Sequence, residues 1–277
     1  MPHDVATPIA YAGEPGAFAE DAALAAFGDV QRVSLGSFRA VFDAVADGTA
    51  AAGVVPIENV INGTVRENYD LLLEHELMIT GEVELDVVHC LLALPGATIS
   101  DVKVVYSHPQ ALAQCERYLK DLGVTVEAVY DTAGGAKLVA EQKLTNAAAL
   151  ASRRAAEVFG LDVLQEAVQD YEYNITRFAI IGGVAAPDAD KTTIVFALPS
   201  TPGALFKALS VFALRDINLT KLESRPIRGR PWEYLFYVEV EARRDDMACS
   251  RALMHLAEFG KWTRVLGTYK GWQRKTD

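Results

Sequence analysis

The order of the apolar segments changes near residue 190, and this change predicts two domains. Residues 182–190 are small and polar with one proline, a composition typical of linkers. The residues that follow predict the βαββαβ order of a ferredoxin-like unit. Its predicted strands are 193–198, 219–224, 234–241 and 263–269, and its predicted helices are 202–214 and 246–259. We therefore expect a first domain over residues 6–184 and a second over residues 191–272.

The first domain has an α/β pattern. Residues 9–11 and 53–57 are apolar and predict strands, and residues 18–27 predict a helix between them. Ser37 lies where the N-cap of a second helix belongs. Because strands alternate with helices, the pattern predicts a parallel sheet with its ligand crevice at the carboxyl ends of the strands.

The composition excludes several classes of partner. The chain has 277 residues, a formal net charge of -11 and a pI of about 5.0. We expect no binding to nucleic acid or to anionic membranes, because both attract basic surfaces. The sequence has no apolar stretch of about 18 residues, and its first residues lack the basic and apolar regions of a signal peptide. We therefore expect a cytoplasmic protein.

The cysteines and histidines do not have the spacing of a metal site. Cys90, Cys115 and Cys249 lie far apart in apolar or helical segments, and the five histidines are equally scattered. Metal sites in proteins combine ligands in characteristic, closely spaced sets. We expect three buried free thiols and no bound metal.

Polar residues follow two of the predicted strands. Glu58 and Asn59 come directly after the strand at 53–57, where they are suited to orient a substrate or, equally, to form a turn. Ser107 begins the sequence Ser-His-Pro-Gln, which fits a helix N-cap with proline in the first turn, and Gln114 follows in that helix. From the residues alone, capping explains Ser107 better than substrate binding does.

The segment from Asn174 to Phe178 places polar residues directly before an apolar run. In an extended chain, Asn174, Thr176 and Phe178 point to the same side. Arg177, beside a hydroxyl and an amide, suits a ligand that carries a carboxylate, because a guanidinium binds a carboxylate with two hydrogen bonds. An edge strand with a surface arginine explains the segment about equally well.

Two segments of the second domain suit an amino-acid ligand. Residues 203–205 begin a helix with a glycine, which exposes backbone N–H groups, and residues 223–226 end a strand with an arginine. A zwitterionic amino acid is the kind of ligand that would fit both segments. Ordinary capping and turn formation explain the same residues without a ligand.

Taken together, these segments resemble the prephenate dehydratase family, including the related plant-type arogenate dehydratases. The matching segments, in order along nearly the whole chain, are YAGEPGAF, VVPIENVINGTV, NYDLLL, GEVELDVVHCLLALPG, SHPQALAQCE, NITRF, GALFKALSVFALRDINLTKLESRP and YLFYVEVEA. The resemblance implies a two-lobed catalytic domain like a type II periplasmic binding protein, followed by an ACT regulatory domain. It also implies the reaction, in which prephenate loses carbon dioxide and its ring hydroxyl to give phenylpyruvate in phenylalanine biosynthesis, without a cofactor.

The resemblance implies roles for the residues found above. Thr176 would assist departure of the ring hydroxyl, Asn174 would hold Thr176, and Arg177 would bind the pyruvyl carboxylate of the substrate. The residues expected to line the cleft are Glu58, Asn59, Ser107 and Gln114. One position departs from the family, which usually has Ser or Thr where this chain has Val60.

The ACT resemblance implies phenylalanine as an effector and a homodimer or homotetramer as the assembly. The residues expected to bind the effector are Gly203, Ala204, Leu205, Asn218, Glu223, Ser224, Arg225 and Pro226. Two alternatives remain open at this stage. One is an arogenate dehydratase, whose substrate carries an amine in place of the keto group, and the other is a non-catalytic amino-acid sensor.

Overall fold

The structure is a computed structural model that describes residues 7–227 and 229–273. The chain forms two compact units. The first contains the residues up to Leu71 together with Val83–Ala179, and the second contains Leu72–Glu82 together with the residues from Ile180 onward. The predicted α/β class is confirmed.

The strands up to residue 181 are β1 (Ile9–Ala12), β2 (Arg32–Leu35), β3 (Ala52–Asn59), β4 (Gly63–Thr64), β5 (Ile79–Asp86), β6 (Cys90–Ala93), β7 (Val104–Ser107), β8 (Thr125–Ala128), β9 (Ala147–Ala151), β10 (Asp162–Gln165) and β11 (Ile175–Ile181). The α-helices in the same part are α1 (Phe18–Phe27), α2 (Phe38–Ala46), α3 (Arg66–Glu74), α4 (Pro109–Gln114), α5 (Glu116–Leu122), α6 (Thr132–Glu141) and α7 (Arg153–Phe159). The division between the units falls within α3, β5 and β11.

The first unit contains two sheets. In one, β1 pairs in parallel with both β2 and β3, as the sequence predicts, and β11 lies beside β3. The other has the strand order β10-β6-β9-β7-β8. Every residue of β9, a run of alanines and one leucine, is buried, because apolar clusters cover both faces of this strand.

The turn between β1 and α1 joins the two sheets of the first unit. The backbone N–H of Glu14 donates to Asp131 at 3.2 Å, and the Glu14 carboxylate accepts hydrogen bonds from Tyr130 at 2.7 Å and Lys137 at 3.1 Å. Burial acts to raise the pKa of Glu14, but these two hydrogen bonds outweigh it and hold the pKa below its ordinary value. The turn therefore links the two sheets of this unit through specific hydrogen bonds.

Gly16 in this turn is required by both conformation and space. Its φ is +88°, and a Cβ would lie 2.7 Å from the Cα of Ala155. The Gly16 carbonyl accepts a hydrogen bond from the buried Ser152 hydroxyl at 2.6 Å. A side chain at residue 16 would push the two sheets apart.

The second unit contains the predicted ferredoxin-like order. Its further elements are β12 (Lys191–Ala197), α8 (Ala204–Ala213), β13 (Leu219–Pro226), β14 (Tyr234–Val240), α9 (Met247–Phe259) and β15 (Trp262–Tyr269). These strands form an antiparallel sheet in the order β13-β14-β12-β15, and α8 and α9 cover one of its faces with a common apolar core. The predicted βαββαβ order is thus confirmed.

Residues 72–82 join this second unit through specific contacts. Ile79 lies opposite Gly267 of β15, where a Cβ would come within 2.2 Å of the Ile79 carbonyl oxygen. Arg264 donates to the backbone carbonyl of Leu73 at 3.1 Å. These long-range contacts explain why the compact units divide the chain at points other than 184 and 191. The expected start of the first domain, residue 6, lies outside the described residues.

A buried group of charges holds Glu82 to the sheet of the second unit. The Lys191 ammonium lies 2.9 Å from the carboxylates of both Glu82 and Glu239. The backbone N–H of Trp272 donates to Glu82 at 3.0 Å. The three charged residues are 9% exposed or less, so replacing Lys191 would remove a cation that contacts two buried carboxylates.

The start of α4 differs from the prediction by one residue. The N-cap is His108, whose Nδ1 accepts a hydrogen bond from the backbone N–H of Gln110 at 3.2 Å. Ser107 is the last residue of β7, where it lies opposite Ala128 of β8. The capping prediction for Ser107 is therefore wrong, because the strand continues one residue further than the pattern indicates.

The three cysteines are free and buried, as predicted. Burial raises the pKa of Cys115 to about 12 and that of Cys249 to about 11, with neighbouring aspartates adding to both, and it also raises the pKa of Cys90.

We expect the native protein to resist alkylation at pH 8, because fewer than about one in 10³ of the Cys115 and Cys249 thiols would be ionised. Iodoacetamide treatment followed by mass spectrometry is the measurement, with three labels expected after unfolding in urea. Rapid labelling of Cys115 or Cys249 without denaturant would contradict the expectation.

Candidate active site

The predicted site residues of the first domain come together in the first unit. Asn59 ends β3, Asn174 directly precedes β11, Thr176 is the second residue of β11, and Gln114 ends α4. All four side chains are buried, with exposures between 3% and 9%. The site therefore lies at the carboxyl end of a parallel strand, where open α/β sheets bind ligands.

Backbone N–H groups fix the direction of the Asn59 amide. The N–H groups of Ile61 and Asn62 both donate to Asn59 Oδ1 at 3.0 Å, so this atom must be the oxygen. The Asn59 Nδ2 then donates to Asn174 Oδ1 at 2.8 Å and to the Thr176 hydroxyl at 2.9 Å. Within the described part of the chain, the Thr176 hydroxyl accepts this hydrogen bond and donates none. Its proton is therefore available to a ligand.

The amide hydrogen bonds continue from Asn174 to a histidine. Asn174 Nδ2 donates to Gln114 Oε1 at 2.8 Å, and the same oxygen lies 2.8 Å from Nε2 of His89. His89 is 2% exposed, and its burial lowers its pKa even though the hydrogen bond with Gln114 acts in the opposite direction. His89 is therefore neutral at pH 7. Sequence reasoning missed this residue, because a lone histidine in an apolar segment carries no signal of its partner.

Arg177 and Glu58 form an ion pair instead of lining the site beside Thr176. Arg177 Nη2 lies 2.5 Å from Glu58 Oε2, and the arginine side chain is 12% exposed. Successive residues of a strand point to opposite faces, so both residues lie on the sheet face opposite Asn59 and Thr176. Arg177, which the resemblance implies as the ligand of the substrate's pyruvyl carboxylate, has the carboxylate of Glu58 as a partner in this structure.

Ser107 lies in the same unit, but its hydroxyl has a structural contact. It is fully buried and donates to the backbone carbonyl of Leu150 in β9 at 2.6 Å. Its proton is thus directed at the sheet, although the oxygen retains lone pairs that can accept. Val60, which follows the site asparagine, is 60% exposed, and its backbone N–H donates to the Ile175 carbonyl at 3.0 Å.

The expected effector residues lie in two places of the second unit. Gly203 is the N-cap of α8 with a φ of +76°, and Ala204 and Leu205 form the first turn of that helix. The remaining residues belong to β13 or directly precede it: Asn218, Glu223, Ser224, Arg225 and Pro226. Asn218 donates to Glu241 at 2.6 Å, and Glu223 lies 3.8 Å from the Lys221 ammonium. Among residues 7–227 and 229–273, β13 pairs only with β14 and forms an edge of its sheet.

The described residues include neither a metal-binding cluster nor a membrane-spanning helix. No group of three or more His, Cys, Asp or Glu residues in this part of the chain is arranged to hold a metal ion. No helix among the described residues has the length and apolar character that crossing a membrane requires.

Comparison with protein families gives two matches. The prephenate dehydratase model matches residues 9–185, and the ACT domain model matches residues 192–246. Arogenate dehydratase/prephenate dehydratase 2 of Arabidopsis thaliana is 48% identical over 94% of this chain and 72% of its own length. Arogenate dehydratase 2 of Petunia hybrida is 47% identical over 94% of this chain and 71% of its own length.

Two solved structures share the fold over nearly the full chain. The prephenate dehydratase of Arthrobacter aurescens, solved in complex with L-Phe, has a TM-score of 0.87 and 32% identity, covering 95% of this chain and 90% of its own. A protein described as GqqA, a novel type of quorum quenching acylase, has a TM-score of 0.88 and 35% identity, covering 95% of this chain and 98% of its own.

The comparisons also correct the expected location. The Arabidopsis relatives are chloroplastic proteins, so the prediction of a cytoplasmic protein is wrong on this comparison. The physical reason is that composition and charge determine folding and surface chemistry, whereas a compartment is selected by separate targeting signals. The family matches and the identities over 94% of the sequence decide the family of the chain. The chain belongs to the prephenate dehydratase family and combines a prephenate dehydratase domain with an ACT domain.

Proposed function

We propose that this chain converts prephenate to phenylpyruvate, with Thr176 as the donor to the departing hydroxyl. The observation that carries the assignment is the Thr176 hydroxyl, which accepts from Asn59 at 2.9 Å and keeps its proton for a ligand. Accepting one hydrogen bond makes a hydroxyl a stronger donor in a second. Asn59 holds the Thr176 hydroxyl, Asn174 holds Asn59 in turn, and Gln114 and Ser107 complete the polar wall of the cleft.

The proposed chemistry balances without a cofactor. The bond between the ring and its carboxylate breaks, its electron pair enters the ring, and the C–O bond to the ring hydroxyl breaks. Carbon dioxide leaves, the hydroxyl departs as water with a proton delivered through Thr176, and solvent restores that proton. Aromatisation drives the reaction, so the protein has to supply orientation and assistance to a poor leaving group.

Arogenate is the second candidate substrate, because the plant relatives carry arogenate dehydratase in their names. A side-by-side measurement of kcat/KM on prephenate and arogenate tests the proposal. A larger value on prephenate supports it, and a larger value on arogenate makes the chain an arogenate dehydratase. The absence of turnover on both would overturn the enzyme assignment and favour the amino-acid sensor. The GqqA protein with the same fold is described as an acylase, which raises acylase activity as a further possibility for this chain. Ser107 does not support it as a nucleophile, because its hydroxyl proton is directed at a backbone carbonyl.

Arg177 is proposed to bind the carboxylate of the substrate side chain while Glu58 orients the guanidinium. A guanidinium presents its N–H donors in a fixed fork that matches the geometry of a carboxylate. Because Arg177 and Thr176 lie on opposite strand faces, a ligand that meets both has to reach around the carboxyl end of β3.

We expect Arg177→Met to raise KM about 10- to 100-fold, the effect of losing hydrogen bonds to a charged group. Glu58→Gln should raise KM by a smaller factor, since the guanidinium remains. Steady-state kinetics of the two single variants and the double variant give the comparison. If the two single variants and the double variant all raise KM by the same modest factor, Arg177 and Glu58 interact only with each other. The carboxylate-binding role is then overturned.

Phenylalanine is the proposed effector of the ACT domain, because the Arthrobacter aurescens relative was solved in complex with L-Phe. The proposed ligands are the backbone at Gly203–Leu205 and the residues Asn218 and Glu223–Pro226. The proposed assembly is a homodimer or homotetramer. It is supported by the position of β13 at the end of its sheet among the described residues, and by exposed apolar side chains such as Phe206 and Leu214, 76% and 79% exposed. Assays with and without phenylalanine, with light scattering for the assembly mass, test both parts.

A further inference from the structure

His89 is held in place by contacts that do not involve its side-chain nitrogens. Its backbone N–H donates to the Gln169 side chain at 3.1 Å, and its carbonyl accepts from the N–H of Val168 at 3.0 Å. The ring packs against Phe18 in a T-shaped arrangement, with ring centroids 5.4 Å apart and planes at 86°. The ring therefore has a fixed position from which Nε2 meets Gln114.

Hydrogen bonds link Asn59 to Asn174, Asn174 to Gln114, and Gln114 to His89. Each of them pairs a donor with an acceptor only if Nε2 of His89 carries a proton. The backbone fixes Asn59 Nδ2 toward Asn174 Oδ1, so Asn174 Nδ2 faces Gln114 and the facing atom of Gln114 must be Oε1. That oxygen is 2.8 Å from His89 Nε2, which must then be a donor.

The opposite tautomer of His89 would conflict with this arrangement. An unprotonated Nε2 would repel Gln114 Oε1 and favour a flipped Gln114 amide. A flipped Gln114 would require Asn174 to flip, and its Nδ2 would then face the Nδ2 of Asn59. Asn59 has no freedom to follow, because its oxygen accepts from two backbone N–H groups. Two N–H donors would then face each other at Asn59, the residue that donates to the Thr176 hydroxyl.

We propose that His89 is a positioning residue for the dehydration, whose Nε2–H sets the direction of the Gln114, Asn174 and Asn59 amides and thereby the donor orientation of Thr176. This inference rests on the proposed role of Thr176. It goes beyond that role in assigning a function to a buried side chain that does not touch the substrate.

The other ring nitrogen supports the same protonation state. His89 Nδ1 is buried and has no hydrogen-bond partner among the described residues. A protonated Nδ1 would leave a donor unsatisfied in an apolar environment, which costs more than leaving one lone pair of an acceptor unused. The proton of the neutral ring is therefore expected on Nε2.

The proposal is tested by replacing the donor and then restoring it. His89→Leu removes Nε2–H at similar volume and should lower kcat about 10- to 100-fold, the scale of a small misplacement of a reacting group, with KM changed less than about threefold. His89→Gln places an amide N–H near the position of Nε2 and should recover kcat to within about threefold of the parent.

Further outcomes separate this inference from a structural role. If His89→Gln loses as much activity as His89→Leu while both melt with the parent, the positioning role is overturned. The double variant His89→Leu/Asn174→Ala should be no slower than Asn174→Ala alone, because the two residues act through one series of bonds; additive losses would contradict the proposal.

The tautomer of His89 tests the inference without turnover. Nitrogen NMR of the ring should show a neutral imidazole protonated at Nε2, and a ring protonated only at Nδ1 would overturn the proposal. If the parent converts neither prephenate nor arogenate, the proposed function fails, whereas the tautomer still decides whether His89 directs the amides.

Discussion

Replacing Thr176 with valine is expected to lower kcat by about 10²–10⁴, the usual contribution of a positioned proton donor. Valine keeps the branched shape and removes only the hydroxyl. Folding should persist, because Asn59 Nδ2 still has Asn174 Oδ1 and the Ile175 carbonyl as acceptors at 2.8 and 3.1 Å. The measurement is steady-state turnover of prephenate with KM determined separately, since loss of a transition-state interaction lowers kcat more than it changes KM.

Thr176→Ser is the matched control for this prediction. Serine restores the hydroxyl and the acceptor for Asn59, so kcat should recover to within about tenfold of the parent. A valine variant that keeps kcat within a fewfold of the parent would remove Thr176 from the mechanism. Equal losses in the serine and valine variants would show that packing by the threonine methyl group, and not its proton, is what the site requires.

Replacing Lys191 with methionine is expected to lower the free energy of unfolding of the second unit by about 3–5 kcal/mol, the cost of removing one partner from a buried ion pair. Lys191 is the cation that Glu82 and Glu239 share, and these two carboxylates are 7% and 1% exposed. All three tryptophans of the chain, at positions 232, 262 and 272, belong to the second unit. Urea unfolding followed by tryptophan fluorescence therefore measures the unit that is changed.

The ion-pair explanation makes a second, opposite prediction. Adding Glu82→Gln and Glu239→Gln to Lys191→Met also removes the two buried carboxylate charges that the ammonium contacted, so the triple variant should recover a large part of the lost stability. Lys191→Arg keeps the charge and should cost less than methionine, although the guanidinium has a different shape. A methionine variant that loses less than about 1 kcal/mol, or a triple variant less stable than Lys191→Met, would show that packing of the lysine stem explains the effect.

Periodicity and capping determine most of the secondary structure. The helix 18–27 and the βαββαβ order after residue 190 follow from local patterns, and the structure agrees with them. Ser37 caps α2 as expected, with its side chain accepting from the Ala40 N–H at 3.2 Å. The Ser107 pattern fails by one residue because pairing with β8, a tertiary contact, extends β7 through the residue that would otherwise cap the helix.

By itself, the sequence determined the order of the elements, the burial of the three thiols, and the common side of Asn174 and Thr176, because each depends on neighbours within a few residues. It did not determine which groups those side chains would meet. Glu58 and Arg177 are 119 residues apart, Asn59 and Thr176 are 117 apart, and Glu82 and Lys191 are 109 apart. Only the tertiary structure brings such groups within hydrogen-bond distance, because strand pairing and core packing select partners by position in space. The same packing joined residues 72–82 to the second unit and His89 to Gln114, and no local pattern carries either contact.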